Sequence, residues 1–153
     1  MITEPGIFIG IGMVLSLFLT ETLGVTAGGI IVPGYIAMNL EDPYRLATTF
    51  GIAIITFGII QLLAKFLLIY GKRRLVLALL LGFLLGFLTR SENNLLADMT
   101  NLDLVVIGNI IPGLIANWMD RQGVLRTICT ILITASMTKL FVMAISISVE
   151  VFN

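Results

Sequence analysis

Residues 29–40 read GIIVPGYIAMNL, and residues 108–119 read GNIIPGLIANWM. Aligned without gaps, the two stretches are identical at six of twelve positions: Gly29/Gly108, Ile31/Ile110, Pro33/Pro112, Gly34/Gly113, Ile36/Ile115 and Ala37/Ala116. Their prolines lie 79 residues apart in a chain of 153, just over half its length. Matched Gly/Pro interruptions in the two halves of a very apolar chain point to a membrane protein with a site at its repeat interface. Proline removes an amide donor and clashes with the preceding turn, so a helix reaching it breaks or kinks. It also suits the first position of a new helix. Pro33 and Pro112 are therefore expected to open half-helices through Tyr35–Leu40 and Leu114–Met119. Gly34 and Gly113 then let the backbone approach another helix or a ligand. Freed amides and a positive helix end at membrane depth favour an anionic group such as a carboxylate. The alternative is a pair of Pro kinks that only shape helix packing.

Composition agrees with a lipid environment. Hydrophobic residues make up 58%, charged residues 12%, and mean hydropathy is +1.09. A soluble domain carries about 25% charged residues, so this chain lacks the polar surface to cover itself in water. Nine basic and nine acidic residues give no net charge and no reason to expect a nucleic-acid partner. The chain has no histidine and one cysteine, Cys129, so an internal disulfide is excluded, and the commonest general base and metal ligand is missing. No phosphate-binding Gly-rich loop, metal-ligand cluster or nucleophile–base set is present, and no cofactor is expected. The start, MITEPG, lacks the basic region of a cleavable signal peptide, so the first helix is expected to remain as a membrane segment.

Outward from the two motifs, each half reads as helix, broken segment, polar turn, long helix. The first half contains Ile7–Leu23, the broken Val25–Leu40, the turn Glu41–Arg45 and the span Leu46–Tyr70. After Gly71-Lys72-Arg73-Arg74, the second half contains Leu75–Leu88, a polar connection Thr89–Asp103, the broken Leu104–Met119, the turn Asp120–Gly123 and the span Val124–Val149. The expected fold is an all-α integral membrane protein, a single membrane domain over 1–153, with repeat 1 at about 5–70 and repeat 2 at about 75–150. If the broken segments cross the membrane, there are six crossings and the repeats are inverted. If they are re-entrant, there are four and the repeats are parallel. The positive-inside rule favours six, because Lys72, Arg73, Arg74, Arg121 and Arg126 then share the cytoplasmic side, against Arg45 and Arg90 outside.

Several residues are candidates for function. Glu21 ends the first span and either faces a cavity or simply marks a helix end. Lys139, inside the last span, costs about 3 kcal/mol on insertion scales and is expected to face the bundle interior, snorkel or pair with an acid. Asn117 follows the second motif and can hydrogen-bond across helices. Lys72, Arg73 and Arg74 form a topology anchor or a dock for an acidic partner or lipid headgroup. Gly82 and Gly86, and Gly24 and Gly28, have the spacing of close helix contacts.

The ordered set Glu21-Thr22-Leu23-Gly24, Ile31-Val32-Pro33-Gly34-Tyr35, Leu68–Arg74, Ile110–Asn117 and Gln122-Gly123 resembles the CapC/PgsC family, the integral-membrane C subunit of bacterial poly-γ-glutamate synthase. The resemblance covers nearly the whole chain; Lys139 and the acidic stretch 92–103 fall outside it. It implies a multi-pass protein of the bacterial cell membrane, without catalytic residues of its own. Its implied partners are a cytoplasmic ATP-dependent amide ligase, a further membrane-anchored synthase subunit and the anionic poly-γ-glutamate chain. The candidate polymer path is then Glu21, Pro33, Gly34, Pro112, Gly113 and Asn117, with Lys72, Arg73 and Arg74 as the partner dock. Two other readings are a stand-alone homo-oligomeric transporter of an anionic solute and a purely structural membrane anchor.

Overall fold

The computed structural model describes residues 5–66, 71–100 and 108–151. Among the described residues the chain is entirely helical: α1 (Pro5–Leu23), α2 (Val32–Met38), α3 (Pro43–Phe66), α4 (Lys72–Thr100), α5 (Ile111–Gln122) and α6 (Val124–Val151). Three helices are long and apolar enough to span a membrane: Pro5–Leu23, Pro43–Lys65 and Val124–Ser148. At 1.5 Å per residue they measure about 28–38 Å, against a hydrocarbon core of about 30 Å. The two half-helices are much shorter, about 10 and 18 Å by the same rise. Glycines in left-handed conformation set the breaks: Gly24 (φ 63°) closes α1, Gly71 (φ 63°) precedes α4, and Gly123 (φ 92°) turns α5 into α6.

Several boundaries differ from the sequence reading. Helix α4 begins at Lys72 rather than Leu75, and α5 takes in Asp120–Gln122, expected as part of a turn, before Gly123 ends it. Helix α3 starts at Pro43 rather than Leu46, because proline at a first helical position loses no hydrogen bond. The polar stretch after Leu88 is not a loose connection, since α4 continues through Thr100. Residues 89–100 hold no glycine or proline, so nothing in the backbone stops the helix where the hydropathy falls. Residues 101–103 of that stretch lie outside the described residues.

The packing exchanges elements between halves. Half-helix α2 lies against its own α1 and against α6 of the other half; α5 lies against its own α4 and against α3 of the other half. The contact of α1 with α6 matches that of α3 with α4, and α2 meets α5 at the centre. Swapping the halves maps these contacts onto themselves, but α5 also packs on α6 without a comparable contact between α2 and α3. The core is built from the half-helices: Val32, Ile36 and Ala37 of α2, and Ile111, Ile115 and Met119 of α5, pack with Ala53 of α3 and Ile131 and Ala135 of α6. Outer faces stay apolar, with Val14, Phe18, Leu80, Leu125 and Leu140 all exposed. Helices hydrophobic all round need an apolar surrounding.

The inside of this bundle also holds hydroxyl groups. Thr49 and Thr56 of α3, and Thr127, Thr134 and Thr138 of α6, are fully buried. Each hydroxyl donates to the carbonyl four residues earlier, at 2.6–2.8 Å. Each helix thus satisfies its own threonines, and the small side chains let neighbours come close without a stranded polar group.

Candidate functional site

The two broken segments meet at the centre of the fold. Ile31 (φ −89°, ψ −30°) and Ile110 (φ −91°, ψ −25°) cap α2 and α5, neither with a side-chain hydrogen bond, and Pro33 and Pro112 lie in the first turns. Tyr35 N–H donates to Ile31 O at 3.4 Å and Leu114 N–H to Ile110 O at 3.1 Å. The residues before each cap are non-helical: Gly28 (φ 72°) and Gly29 (φ 120°) in one segment, Gly108 (φ 62°) in the other.

Each Pro-Gly pair is buried against the first helix of its own half. A Cβ built on Gly34 would stand 2.7 Å from Ile9 Cα and 2.9 Å from Phe8 O. Built on Gly113, it would stand 2.5 Å from Ala78 O and 2.8 Å from Leu79 Cα. The facing helices give way in return: a Cβ on Gly12 would lie 2.7 Å from Gly34 Cα, and one on Gly82 would lie 2.5 Å from Gly113 Cα. Of the two uses open to these glycines, the geometry realises approach to a helix. Gly86, four residues after Gly82, continues the contact against Asn109 at 3.6 Å. Gly24 and Gly28 instead fall in the linker between α1 and α2.

A cavity of about 260 Å³ opens between the segments, lined by Ile31, Tyr35, Gly108, Asn109, Ile110, Ile111 and Leu114. Ile31 and Ile110, which correspond in the repeated motif, both line it, as do Tyr35 and Leu114. Among the described residues its polar side chains are Tyr35 and Asn109, and none that lines it is charged.

The remaining predicted residues fall elsewhere. Asn117 is buried in α5 at 7% exposure, behind the cavity lining. Glu21 is exposed in the last turn of α1. Lys72 and Arg73 are exposed at the start of α4, whereas Arg74 is tied to Asp120 at the end of α5. Gln61 of α3 also donates to Asp120, at 3.3 Å. The Arg74 pair thus joins two helices of the fold, leaving Lys72 and Arg73 as the outward charges of the triplet. Lys139 Nζ donates to Glu41 Oε1 at 2.9 Å. Glu41 and Asp120 hold corresponding places, eight residues after Pro33 and Pro112, and each reaches the long helix of the other half.

Sequence reasoning missed the Gln122 clip. Thr26 N–H donates to Gln122 Oε1 at 3.2 Å, and Gln122 Nε2 donates to Thr26 O at 2.5 Å and to Thr127 Oγ1 at 3.1 Å. One side-chain amide thus pairs with both backbone groups of Thr26, fastening the first broken segment to the α5–α6 turn. It also missed Gly12 and Ser16, whose spacing matches Gly82 and Gly86. Ser16 Oγ donates to Gly29 O at 3.3 Å.

The family profile described as Capsule biosynthesis CapC matches residues 11–128. This chain belongs to the CapC family. The match runs from α1 into α6 and takes in both broken segments and the cavity between them. A capsule biosynthesis protein CapC of Bacillus anthracis is 33% identical over 129 residues, covering 84% of this chain and 86% of that protein. A PGA biosynthesis protein CapC of Bacillus subtilis (strain 168) is 29% identical over 132 residues, with the same coverage of each. No solved structure matches the chain.

Proposed function

We propose that this chain is the membrane subunit of a poly-γ-glutamate synthesis and export complex in the bacterial cell membrane. It seats a cytoplasmic ATP-dependent amide ligase, works beside a further membrane-anchored subunit, and helps pass the anionic polymer across the bilayer. The observation that carries this reading is the cavity where two broken segments meet, in a chain of a capsule-biosynthesis family. An uncharged lining with amide and hydroxyl donors suits a polycarboxylate, since a carboxylate there would repel it. Ligation chemistry belongs to the partner. Lys72 and Arg73, free of the Arg74–Asp120 pair, are the dock for its acidic surface.

The same reading takes the chain across the membrane six times as inverted repeats. Support comes from the register of the first broken segment along α6. Thr26 bonds to Gln122, which also bonds Thr127; Gly28 approaches Ile131; Glu41 pairs with Lys139. The segment thus advances beside α6 from near its start to beyond its middle, as a crossing segment does and a re-entrant one does not.

The test is gentle detergent purification of the chain from its native membrane, followed by supply of glutamate and ATP. Co-purification of a ligase that makes an anionic γ-linked polymer supports the proposal. A chain that emerges alone and inert sinks it and turns attention to flux through vesicles holding this protein only.

A further inference from the structure

We propose that the cavity between the broken segments is filled by water rather than lipid, and that Tyr35 and Asn109 are its contacts for the carboxylates and amides of a passing γ-glutamyl chain. The second half of this statement rests on the export reading above.

The argument starts from depth. Asn109 packs on Gly86 of α4, twelve residues beyond Arg74, or about 18 Å along the helix axis. That is more than half of the ~30 Å hydrocarbon thickness. The backbone there is not helical, and the apolar side chains beside it are open: Ile30 is 52%, Ile31 45% and Ile110 54% exposed. Non-helical backbone at this depth persists where it is buried in protein or lines water, because lipid supplies no hydrogen-bond partners. The segments line a cavity, and its two polar side chains sit on opposite halves of the fold. Tyr35 offers a hydroxyl, and Asn109 an amide that donates to a carboxylate and accepts from an amide. Two neutral groups hold such a chain weakly enough to let it move on, as conduction requires.

Cys129 is the chain's one cysteine, so the Cys129→Ser variant is a clean background. Within the intact complex, Asn109→Cys and Tyr35→Cys are added singly, with Ile133→Cys on the open outer face of α6 as the lipid-facing control. The probe is a small anionic methanethiosulfonate; the thiolate attacks its sulfenyl sulfur, forms a mixed disulfide and releases methanesulfinate, and because thiolates form in water the reaction reports water. Labelling at positions 109 and 35 is expected to exceed that at 133 by on the order of tenfold, and to slow when glutamate and ATP are supplied. Labelling no faster than at 133 overturns the water-filled cavity. Labelling that synthesis leaves unchanged, while polymer is being made, overturns passage through it. Asn109→Asp is expected to cut polymer output by on the order of tenfold through like-charge repulsion. Equal output from Asn109→Asp, at equal amounts in the membrane, also overturns the polymer contact. Should the parent complex make no polymer, the export reading fails, while labelling still decides whether the cavity is wet.

Discussion

At the scale of the residue, this fold depends on places where a side chain is missing. Gly34 and Gly113 face backbone atoms of α1 and α4, which cannot rotate away as a side chain can. Gly113→Ala should therefore destabilise the protein by about 1–3 kcal/mol, the usual cost of overpacking. Gly51 and Gly58 of α3 have nothing within 4 Å of a built Cβ and lie in mid-helix, so alanine at either should stabilise by about 0.5–1 kcal/mol. Thermal melts of the purified protein in detergent should move in opposite directions for the two kinds of site. Replacing a whole Pro-Gly pair mixes this steric cost with any functional one. Pro112→Ala by itself is the cleaner probe: it restores an amide donor at the first turn and adds no clash.

The Pro-Gly pairs were legible because a duplicated interruption stands out against apolar sequence. Their role in helix contact was half legible, from the Gly82/Gly86 spacing, but the matching Gly12/Ser16 is hidden by a serine. Asn109 and Tyr35 gave no signal of their own. What sets them apart is a cavity formed between segments about 74 residues distant in the chain, and local pattern carries no such information.

At the scale of the element, acidic residues near the ends of the two half-helices serve as fasteners. Arg74 and Asp120 have side chains 26% and 15% exposed, and Lys139 is 19% exposed beside the open Glu41. Removing either acid therefore leaves a cation with poor solvation. Asp120→Ala and Glu41→Ala should each cost about 1–3 kcal/mol. Urea-induced unfolding in detergent, compared by midpoint, would show both shifts; an unmoved midpoint in either variant would refute the role of that pair. Thr134→Val should cost about 0.5–1.5 kcal/mol, the net worth of the one hydrogen bond that its hydroxyl donates to Thr130 O. Thr134→Leu, which must find extra volume at a fully buried site, should cost more. Helix boundaries followed hydropathy and glycine well at α1 and α6. They failed after Leu88 and after Met119, because the end of an apolar run marks where a membrane stops and not where a helix does.

At the scale of the whole molecule, the proposed six crossings make a definite prediction. On that reading the start of α4, with Lys72 and Arg73, lies in the cytoplasm, and both chain ends lie outside. Reporter fusions at the two ends should read external, and one inserted at Gly71 internal. Four crossings would instead put both ends on the same side as Lys72 and Arg73. All-helical architecture was readable from composition. The exchange of half-helices was not, since each motif says where a helix breaks and nothing about which neighbour receives it.

That exchange sets a timetable for biogenesis. Glu41 leaves the ribosome 98 residues ahead of Lys139, the partner that anchors its turn. At about 5–20 residues per second, the first broken segment waits roughly 5–20 s in the membrane before the helix it rests on has been made. During that interval half of its bed is missing and its unpaired amides have only α1 beside them. A nascent chain of this kind is exposed to membrane quality-control proteases until its last helix arrives, so truncation anywhere before α6 should be read as degradation rather than as a shorter working protein.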